Sequence, residues 1–322
     1  MNDILSIYKS YLISKYNLNI RLWRMATGTF FEQLFDTILN IKQWSGFAEL
    51  KEIDNLLKIE DIDKIIEIRY KWENKYYGNK GKFDDFDTML SLRLLWWSRY
   101  SNYWNLGFLY LFTDENNDEK YNQLIQELSR LYITYTLIYQ KQVNEIHKFT
   151  KEIFKKLIAD NQSIDEILSL IKEKYLSRQT NIENIINGDI FWNPKIKNIL
   201  IRMSASIDEN DKAKSLKEIE KLIFETKIDI EHIKSRNDLE FKDEEIKKQW
   251  SDILNTIGNL MTLEYSINRS IGNKPFDEKV ERYKDSEFSI VDTFLSNYSN
   301  WDYSDALKRK KTETDKVINF IF

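Results

Sequence analysis

Glu231 and His232 stand side by side near the end of an alternating apolar run, KIDIEHI, at residues 227–233. His232 is one of only two histidines in the chain. A neutral imidazole is a suitable base near pH 7, because its unperturbed pKa is ~6.5. A carboxylate next to it is a ligand type that hard divalent cations prefer. The pair therefore predicts hydrolysis by an activated water molecule beside a cation.

Two asparagines follow at a defined spacing. Asn259 lies in GNLMTL, residues 258–263, and Asn268 follows after 268 − 259 = 9 positions. This set has no second histidine for a zinc site, and it suits Mg²⁺, whose remaining ligands are substrate phosphate and water. We predict phosphodiester hydrolysis with His232 as the general base, Glu231 and Asn268 as metal ligands, and Asn259 as the residue that orients the imidazole.

A regular strand places one constraint on this prediction, because neighbouring side chains point to opposite faces. Glu231 and His232 can line one site only if the strand ends, twists or bulges there. The following segment, KSRND at residues 234–238, has no apolar alternation and is compatible with such an ending.

The elements that position these residues are predicted to be mostly helical, since 8 Gly and 2 Pro are too few for an all-β protein. IDEILSLIKEKYL, residues 164–176, has helical periodicity after a capping Ser163. Polar stretches at residues 76–85, 113–118 and 204–215 predict loops. From residue 215 onward we predict a helix, a strand at KIDIEHI, several short elements and a last helix containing residues 306–311.

Composition excludes several classes of function. With 48 Lys and Arg against 52 Asp and Glu, the formal charge is −4, so DNA binding would require a local basic patch. The chain has no Cys, which excludes disulfides, thiolate catalysis and Cys-ligated zinc and is typical of a reducing cytoplasm. The N-terminus lacks a signal-peptide pattern, and the longest apolar run, LGFLYLF at residues 106–112, is shorter than the ~20 residues of a membrane span. We therefore predict a cytoplasmic protein without membrane contact.

The ordered series resembles the C-terminal nuclease domain of the GmrSD-type modification-dependent restriction enzymes, a His-Me finger (HNH-like) family. The likeness extends from about Asn181 to the C-terminus. Its motifs are Ile230–Ile233, Trp250, Gly258–Leu263, Asn268, Asn273–Lys279, Trp301 and Arg309. The step of nine residues between the two asparagines is also similar to the HNH domain of RNA-guided CRISPR effectors.

This resemblance implies a ββα-metal finger at residues 181–322, after a helical region at residues 1–180 that would contact a partner or position DNA. It gives His232, Asn259, Glu231 and Asn268 the roles predicted above, with Mg²⁺ or another divalent cation such as Mn²⁺. Residues near the DNA phosphates would be Asn273, Lys274 and Lys279, and the basic run at residues 308–311 adds Lys308 and Arg309.

The resemblance also implies partners. The substrate would be DNA, including phage DNA with modified bases. The family's nucleotide-using sensor motif of the Asp-Gly-Gln-Gln-Arg type does not occur in this sequence, nor does a P-loop. The chain therefore looks like the separate nuclease-bearing D subunit, with a sensor subunit as its partner.

Other interpretations stay open. Family members commonly continue Glu-His-Ile with an apolar residue, Pro and Gln, whereas this chain has Lys234-Ser235-Arg236. A catalytically inactive nuclease fold that serves as a binding module is the first alternative, and a helical subunit that inhibits or scaffolds a nuclease is the second. We interpret His147 as structural or exposed, and the aromatic segment Leu92–Trp104 as helix core or interface, with stacking of single-stranded bases as its alternative.

Overall fold

The structure is a computed structural model that describes residues 83–98, 118–138 and 162–322, together with residues 145, 146, 148, 149, 152, 153 and 156. His147 and the aromatic residues after Ser98 in the segment Leu92–Trp104 lie outside the described residues. Within the described residues, no helix combines the length and the apolar character needed to cross a membrane.

Helices dominate the described part of the chain. In chain order they are α1 (Phe86–Trp97), α2 (Asp118–Ile138), α3 (Ile164–Leu176), α4 (Gln179–Ile186), α5 (Pro194–Asp211), α6 (Leu216–Glu220), α7 (Glu244–Trp250), α8 (Tyr265–Ile271), α9 (Phe276–Tyr283), α10 (Ser289–Asn297) and α11 (Tyr303–Ile321). A π-helical turn at Lys221–Glu225 follows α6, and a 3₁₀ turn at Leu239–Lys242 precedes α7. The strands are β1 (Ile228–His232) and β2 (Leu260–Glu264). The predicted class, mainly α with a small α+β part, is confirmed.

Side-chain caps explain where several helices begin. The Ser163 hydroxyl accepts a hydrogen bond from the Glu166 N–H, and the Glu166 carboxylate accepts one from the Ser163 N–H, so α3 starts at the predicted cap. Ser215 and Glu218 repeat this arrangement at α6. Before α5, the Asn193 side chain accepts hydrogen bonds from the first backbone N–H groups of the helix.

The prediction of a loop at residues 204–215 is wrong for most of this segment, because α5 continues to Asp211. Two of its charged residues, Asp208 and Glu209, occupy interior positions where other helices supply partners. Lys316 of α11 donates to Asp208 at 2.6 Å. The buried Glu209 carboxylate accepts hydrogen bonds from the backbone N–H and the hydroxyl at the start of α10 at 2.7 and 2.6 Å. A polar composition therefore marked a buried helical face here rather than a loop.

Helix α5 contributes to two hydrophobic cores of the described part of the chain. It packs against α1, α2, α10, α11 and β2. The first core lies between the sheet and the C-terminal helices and includes Trp250, Met261, Leu263, Phe288, Phe294 and Trp301. The second joins α1 and α2 to α5 and α11 and includes Leu90, Leu94, Ile133, Leu137, Ile199, Leu200 and Val317. Both cores contain residues of β2, so the sheet is held from two sides.

The two strands pair antiparallel in a regular register that runs from Ile228 opposite Glu264 to His232 opposite Leu260. Helix α8 begins directly after β2, which gives the order β1, β2, α8. Because the pairing stays regular up to His232, the side chains of Glu231 and His232 point to opposite faces of the sheet. The twist or bulge that would have brought both to one site does not occur within the paired strands.

Gly258 lies where the chain entering β2 meets α11, and it provides a test of this packing. A Cβ atom there would lie 2.5 Å from the Ala306 carbonyl oxygen and 2.7 Å from the Lys310 Cβ. We expect Gly258→Ala to lower the free energy of unfolding by about 1–3 kcal/mol, measured by urea denaturation. Gly188→Ala is the matched control, since its nearest atoms would be carbonyl oxygens at 3.4 and 3.5 Å. Equal losses in the two variants would contradict the close approach at Gly258.

Candidate active site

His232 lies half-buried at the end of β1, against the loop that precedes α5. Its Nε2 atom is 3.1 Å from Asn255 Oδ1, and Asn255 Nδ2 donates to Asp189 Oδ2 at 2.9 Å. An ionised carboxylate only accepts hydrogen bonds, so Asn255 turns its amide nitrogen to Asp189 and its oxygen to the imidazole. In the neutral imidazole the proton is therefore on Nε2, and Nδ1 has the free lone pair.

The loop at residues 189–191 is fixed by the same residues. The Ile190 N–H donates to the Asn255 carbonyl at 3.1 Å, and the Phe191 N–H donates to Asp189 Oδ1 at 2.9 Å. These bonds place the Phe191 ring 4.6 Å from the imidazole, between centroids. The aromatic ring covers one side of the base and contributes to its burial.

Burial, with smaller contributions from the charges of Arg236, Lys279 and Lys197, lowers the pKa of His232 to about 4, while the hydrogen bond to Asn255 acts in the opposite direction. The imidazole is therefore neutral near pH 7, the form that accepts a proton from water. Between this pKa and the unfolded value of ~6.5, the unfolded chain binds more protons than the folded chain. The contribution of His232 to folding stability consequently falls as the pH is lowered through that window.

Glu231 faces the other side of β1, toward α9, and is only 4% exposed. Its Oε1 atom accepts hydrogen bonds from Lys279 Nζ at 2.5 Å and from the Tyr283 hydroxyl at 2.9 Å. Burial raises the pKa of Glu231, and the Lys279 ammonium opposes that shift. Lys279 Nζ also donates to the carbonyls of His232 and Ile233 at 2.7 and 3.2 Å. Lys279, predicted as a phosphate contact, thus lies in the interior and holds the backbone at the base.

Asn259 is fully buried and connects three segments around His232. Its Oδ1 atom accepts from the Lys234 N–H at 2.8 Å and from Trp301 Nε1 at 3.1 Å. Its Nδ2 atom donates to the carbonyls of Lys234 and Leu254 at 3.0 and 2.9 Å. Asn259 therefore fixes the turn after the base, and the residue in contact with the imidazole is Asn255.

Arg309, also predicted as a phosphate contact, is 3% exposed. Its Nη1 atom donates to the carbonyls of Ile257, Gly258 and Leu260 at 2.8, 2.9 and 2.9 Å. The side chain of Lys308, the preceding residue, is 69% exposed, and its Nζ atom lies 3.4 Å from an oxygen of Asp305. Of this pair, Arg309 holds the start of β2 and only Lys308 reaches the surface.

The remaining predicted site residues lie on α8 or just after it. Asn268 is half-buried on α8, which packs against β1, and among the described residues its carboxamide has no hydrogen-bond partner. Asn273 accepts a hydrogen bond from the Ser235 hydroxyl at 2.8 Å, which ties the loop after α8 to the turn after β1. Lys274 is exposed, with its Nζ atom 3.5 Å from an oxygen of Glu278.

The role predicted for Glu231, a ligand of the divalent cation, does not fit this arrangement. The Glu231 carboxylate is engaged by the Lys279 ammonium, whose positive charge opposes the approach of a second cation, and it lies on the face of β1 opposite to His232. The part of the chain that the structure describes contains no group of three or more His, Asp or Glu that could hold a metal ion. The structure thus brings His232 together with Asn255 and Asp189 and keeps the carboxylate of Glu231 apart from them.

Three residues of the site were missed from the sequence: Asp189, Phe191 and Asn255. Asn255 lies in the irregular segment between α7 and β2, only four positions before Asn259, and this proximity to the motif was the one available signal. Asp189 and Phe191 lie just before α5 in the chain, and only tertiary packing brings them close to His232.

Residues 172–312 match the family described as GmrSD restriction endonucleases, C-terminal domain. No curated protein matches the chain. The match extends from within α3 to within α11 and supports the GmrSD-type C-terminal nuclease domain that the sequence motifs predicted.

The pair of Lys279 and Glu231 generates a stability prediction. Lys279→Met should lower the free energy of unfolding by about 3–5 kcal/mol, because it leaves a buried carboxylate without its cation. Adding Glu231→Gln should recover much of this loss, and urea denaturation of the four proteins measures the coupling. Lys284→Met at the end of α9 is the matched control, since its pair with Glu281 is exposed. Equal losses for the two lysine variants would refute the role of Lys279.

Proposed function

Because residues 172–312 match a restriction endonuclease C-terminal domain, we propose that this chain is a DNA endonuclease of the His-Me finger type with His232 as its general base. The observation that supports this most directly is the neutral imidazole, whose Nε2 is bonded to Asn255 and whose Nδ1 lone pair is free. The order β1, β2, α8, with the histidine at the end of β1, agrees with the proposed finger.

In the proposed reaction, His232 Nδ1 accepts a proton from a water molecule whose oxygen attacks the phosphorus of a DNA phosphodiester. A bond forms between that oxygen and phosphorus, the bond from phosphorus to the leaving oxygen breaks, and the leaving oxygen takes a proton from solvent. The imidazolium that forms is stabilised because Asn255 Oδ1 accepts a hydrogen bond from its Nε2–H group. Asp189 orients Asn255, so the two residues together act as the third member of a triad does.

Restriction endonuclease domains typically depend on a divalent cation, and we propose Mg²⁺ or Mn²⁺ for this one. In the arrangement described above, Glu231 is engaged by Lys279. The steps assigned to His232, Asn255 and Asp189 therefore do not involve the cation.

The surface residues Asn273, Lys274 and Lys308 are the DNA contacts that we retain from the sequence, since Lys279 and Arg309 have partners in the interior. Phage DNA with modified bases is the proposed substrate and a nucleotide-using sensor subunit the proposed partner, both on the family likeness alone. The helical region at residues 1–180 is proposed to contact that partner or to position DNA, in a cytoplasmic complex.

A second candidate function is a catalytically inactive nuclease fold that binds DNA or a partner. The ion pair of Glu231 and Lys279 favours it, because this pair engages the carboxylate that was predicted to hold the cation. DNA binding without nicking, in the presence of both Mg²⁺ and the proposed sensor subunit with nucleotide, would establish this alternative.

The nuclease proposal predicts that His232→Ala lowers the rate of supercoiled-plasmid nicking by roughly 10²–10⁴-fold, the usual contribution of a general base. Nicking is measured with Mg²⁺, Mn²⁺ or EDTA, with and without the sensor subunit and nucleotide. Ser296→Ala on the exposed side of α10 is the control for handling and purity. Nicking that persists at the wild-type rate in folded His232→Ala would exclude His232 as the base.

The proposed tautomer predicts a distinctive NMR titration. The ring signals of His232, assigned by their loss in His232→Gln, should stay unshifted from pH 7 to pH 5, and the nitrogen shifts should show a proton on Nε2. Burial is the main cause of this low pKa, and the charged groups that contribute are Arg236 after β1, Lys279 on α9 and Lys197 on α5.

Asn255→Leu removes the acceptor at Nε2 at similar side-chain volume. We expect a lower pKa for His232, loss of the single tautomer and nicking slowed roughly 10–100-fold. Asn297→Leu, on the surface of α10, is the matched control. A midpoint near 6.5 for His232 in the wild-type chain would contradict the burial of the base.

A further inference from the structure

Two cationic side chains and the imidazole meet at one aromatic ring. The Nζ atom of Lys197, on α5, lies 3.8 Å from the centroid of the Phe191 ring, and the Cζ atom of Arg236, in the turn after β1, lies 4.9 Å from it. The imidazole of His232 is 4.6 Å away. Within the described ranges, the side chains of Lys197 and Arg236 contact this ring and form no hydrogen bond or ion pair with a carboxylate.

This arrangement concentrates positive charge beside the base. Burial lowers the pKa of Lys197, and Arg236 lowers it further, which shows that the two cations repel each other. Asp229 acts in the opposite direction on Lys197, but the cation paired with its carboxylate is Arg269, at 3.9 Å. The Phe191 ring offsets part of the repulsion through cation–π contacts. An anion bound between the two cations would offset the remainder.

The turn after β1 presents Arg236 as its free cation. Lys234 is buried and bonded to Asp238 at 3.2 Å and to Glu240 at 2.6 Å. Ser235 is also buried, and its hydroxyl donates to Asn273. Arg236 is exposed. Lys234 and Ser235 therefore stabilise the conformation of the turn, and the side chain of Arg236 is available to a ligand.

We propose that Lys197 and Arg236 bind the DNA phosphodiester on which His232 acts. The proposal rests on the proposed function, because it identifies the substrate contact of the same site. Phosphate oxygens accept charge-assisted hydrogen bonds from an ammonium and from a guanidinium, and two donors from different elements fix the position of the phosphorus relative to the base. The Phe191 ring contacts both cations and the imidazole, so it keeps the three groups close to one another.

The test measures binding separately from cleavage. A fluorescein-labelled DNA duplex is titrated with the full chain in EDTA, and anisotropy is followed from 50 to 200 mM KCl. Lys197→Gln and Arg236→Gln are each expected to weaken binding roughly fivefold to tenfold at 0.1 M salt and to reduce the salt slope by about one. The matched control, Lys284→Gln on the surface at the end of α9, removes the same charge and should change neither. Circular dichroism and thermal unfolding confirm that each variant is folded.

The outcomes separate this proposal from the nuclease proposal. Selective loss of binding in the Lys197 and Arg236 variants supports the phosphate site even if the wild-type chain does not nick DNA. Unchanged binding in both variants overturns it even if nicking depends on His232. An equal loss in Lys284→Gln, or no DNA binding by the wild-type chain, also overturns it.

Discussion

The geometry of the site depends on two buried cations that bind backbone carbonyl groups where β1 ends and β2 begins. Lys279 satisfies the carbonyls of His232 and Ile233, and Arg309 satisfies those of Ile257, Gly258 and Leu260. A two-stranded sheet is marginal by itself, and buried carbonyls without partners are costly. Burying an ammonium and a guanidinium is costly too, and the carbonyl ligands together with Glu231 compensate for it. The end of β1 at His232 and the start of β2 are therefore held by charged side chains inside the protein.

This use of Lys279 and Arg309 could have been found in the sequence by following the helical stripes. Lys279 lies three positions after Phe276 and four before Tyr283, on the inward face of α9. Arg309 lies three positions after the buried Ala306, whereas Lys308 is off that stripe and exposed. Charge type indicated phosphate contacts, but position on the helix decided that both residues are interior. The order of the motifs thus identified Lys279 and Arg309 as candidate site residues, and their positions along the helices indicate that both side chains point into the interior.

Local patterns predicted the strand at β1 and the cap at Ser163, because alternation and capping are decided within a few residues. They failed over residues 204–211 of α5, where Asp208 and Glu209 are buried because distant helices supply their partners. The contacts that orient His232 were not predicted from the sequence for the same reason. Asn255 and Asp189 come from irregular segments with no periodic signal, and only the tertiary fold brings them to the imidazole. What the sequence could not predict was, in each case, a contact between segments far apart in the chain.

Burial gives His232 two opposed properties. A pKa of about 4 keeps the imidazole neutral, so nearly every molecule has its base ready at neutral pH. The same low pKa makes it a weak proton acceptor, because general-base efficiency is greatest when the pKa lies near the working pH. In the proposed complex, a phosphate bound by Lys197 and Arg236 offsets two of the charges that lower the pKa of the imidazole, while burial, the main cause of the low pKa, remains. Under this proposal the imidazole of the free protein is neutral, and its basicity increases when the substrate phosphate is bound beside it.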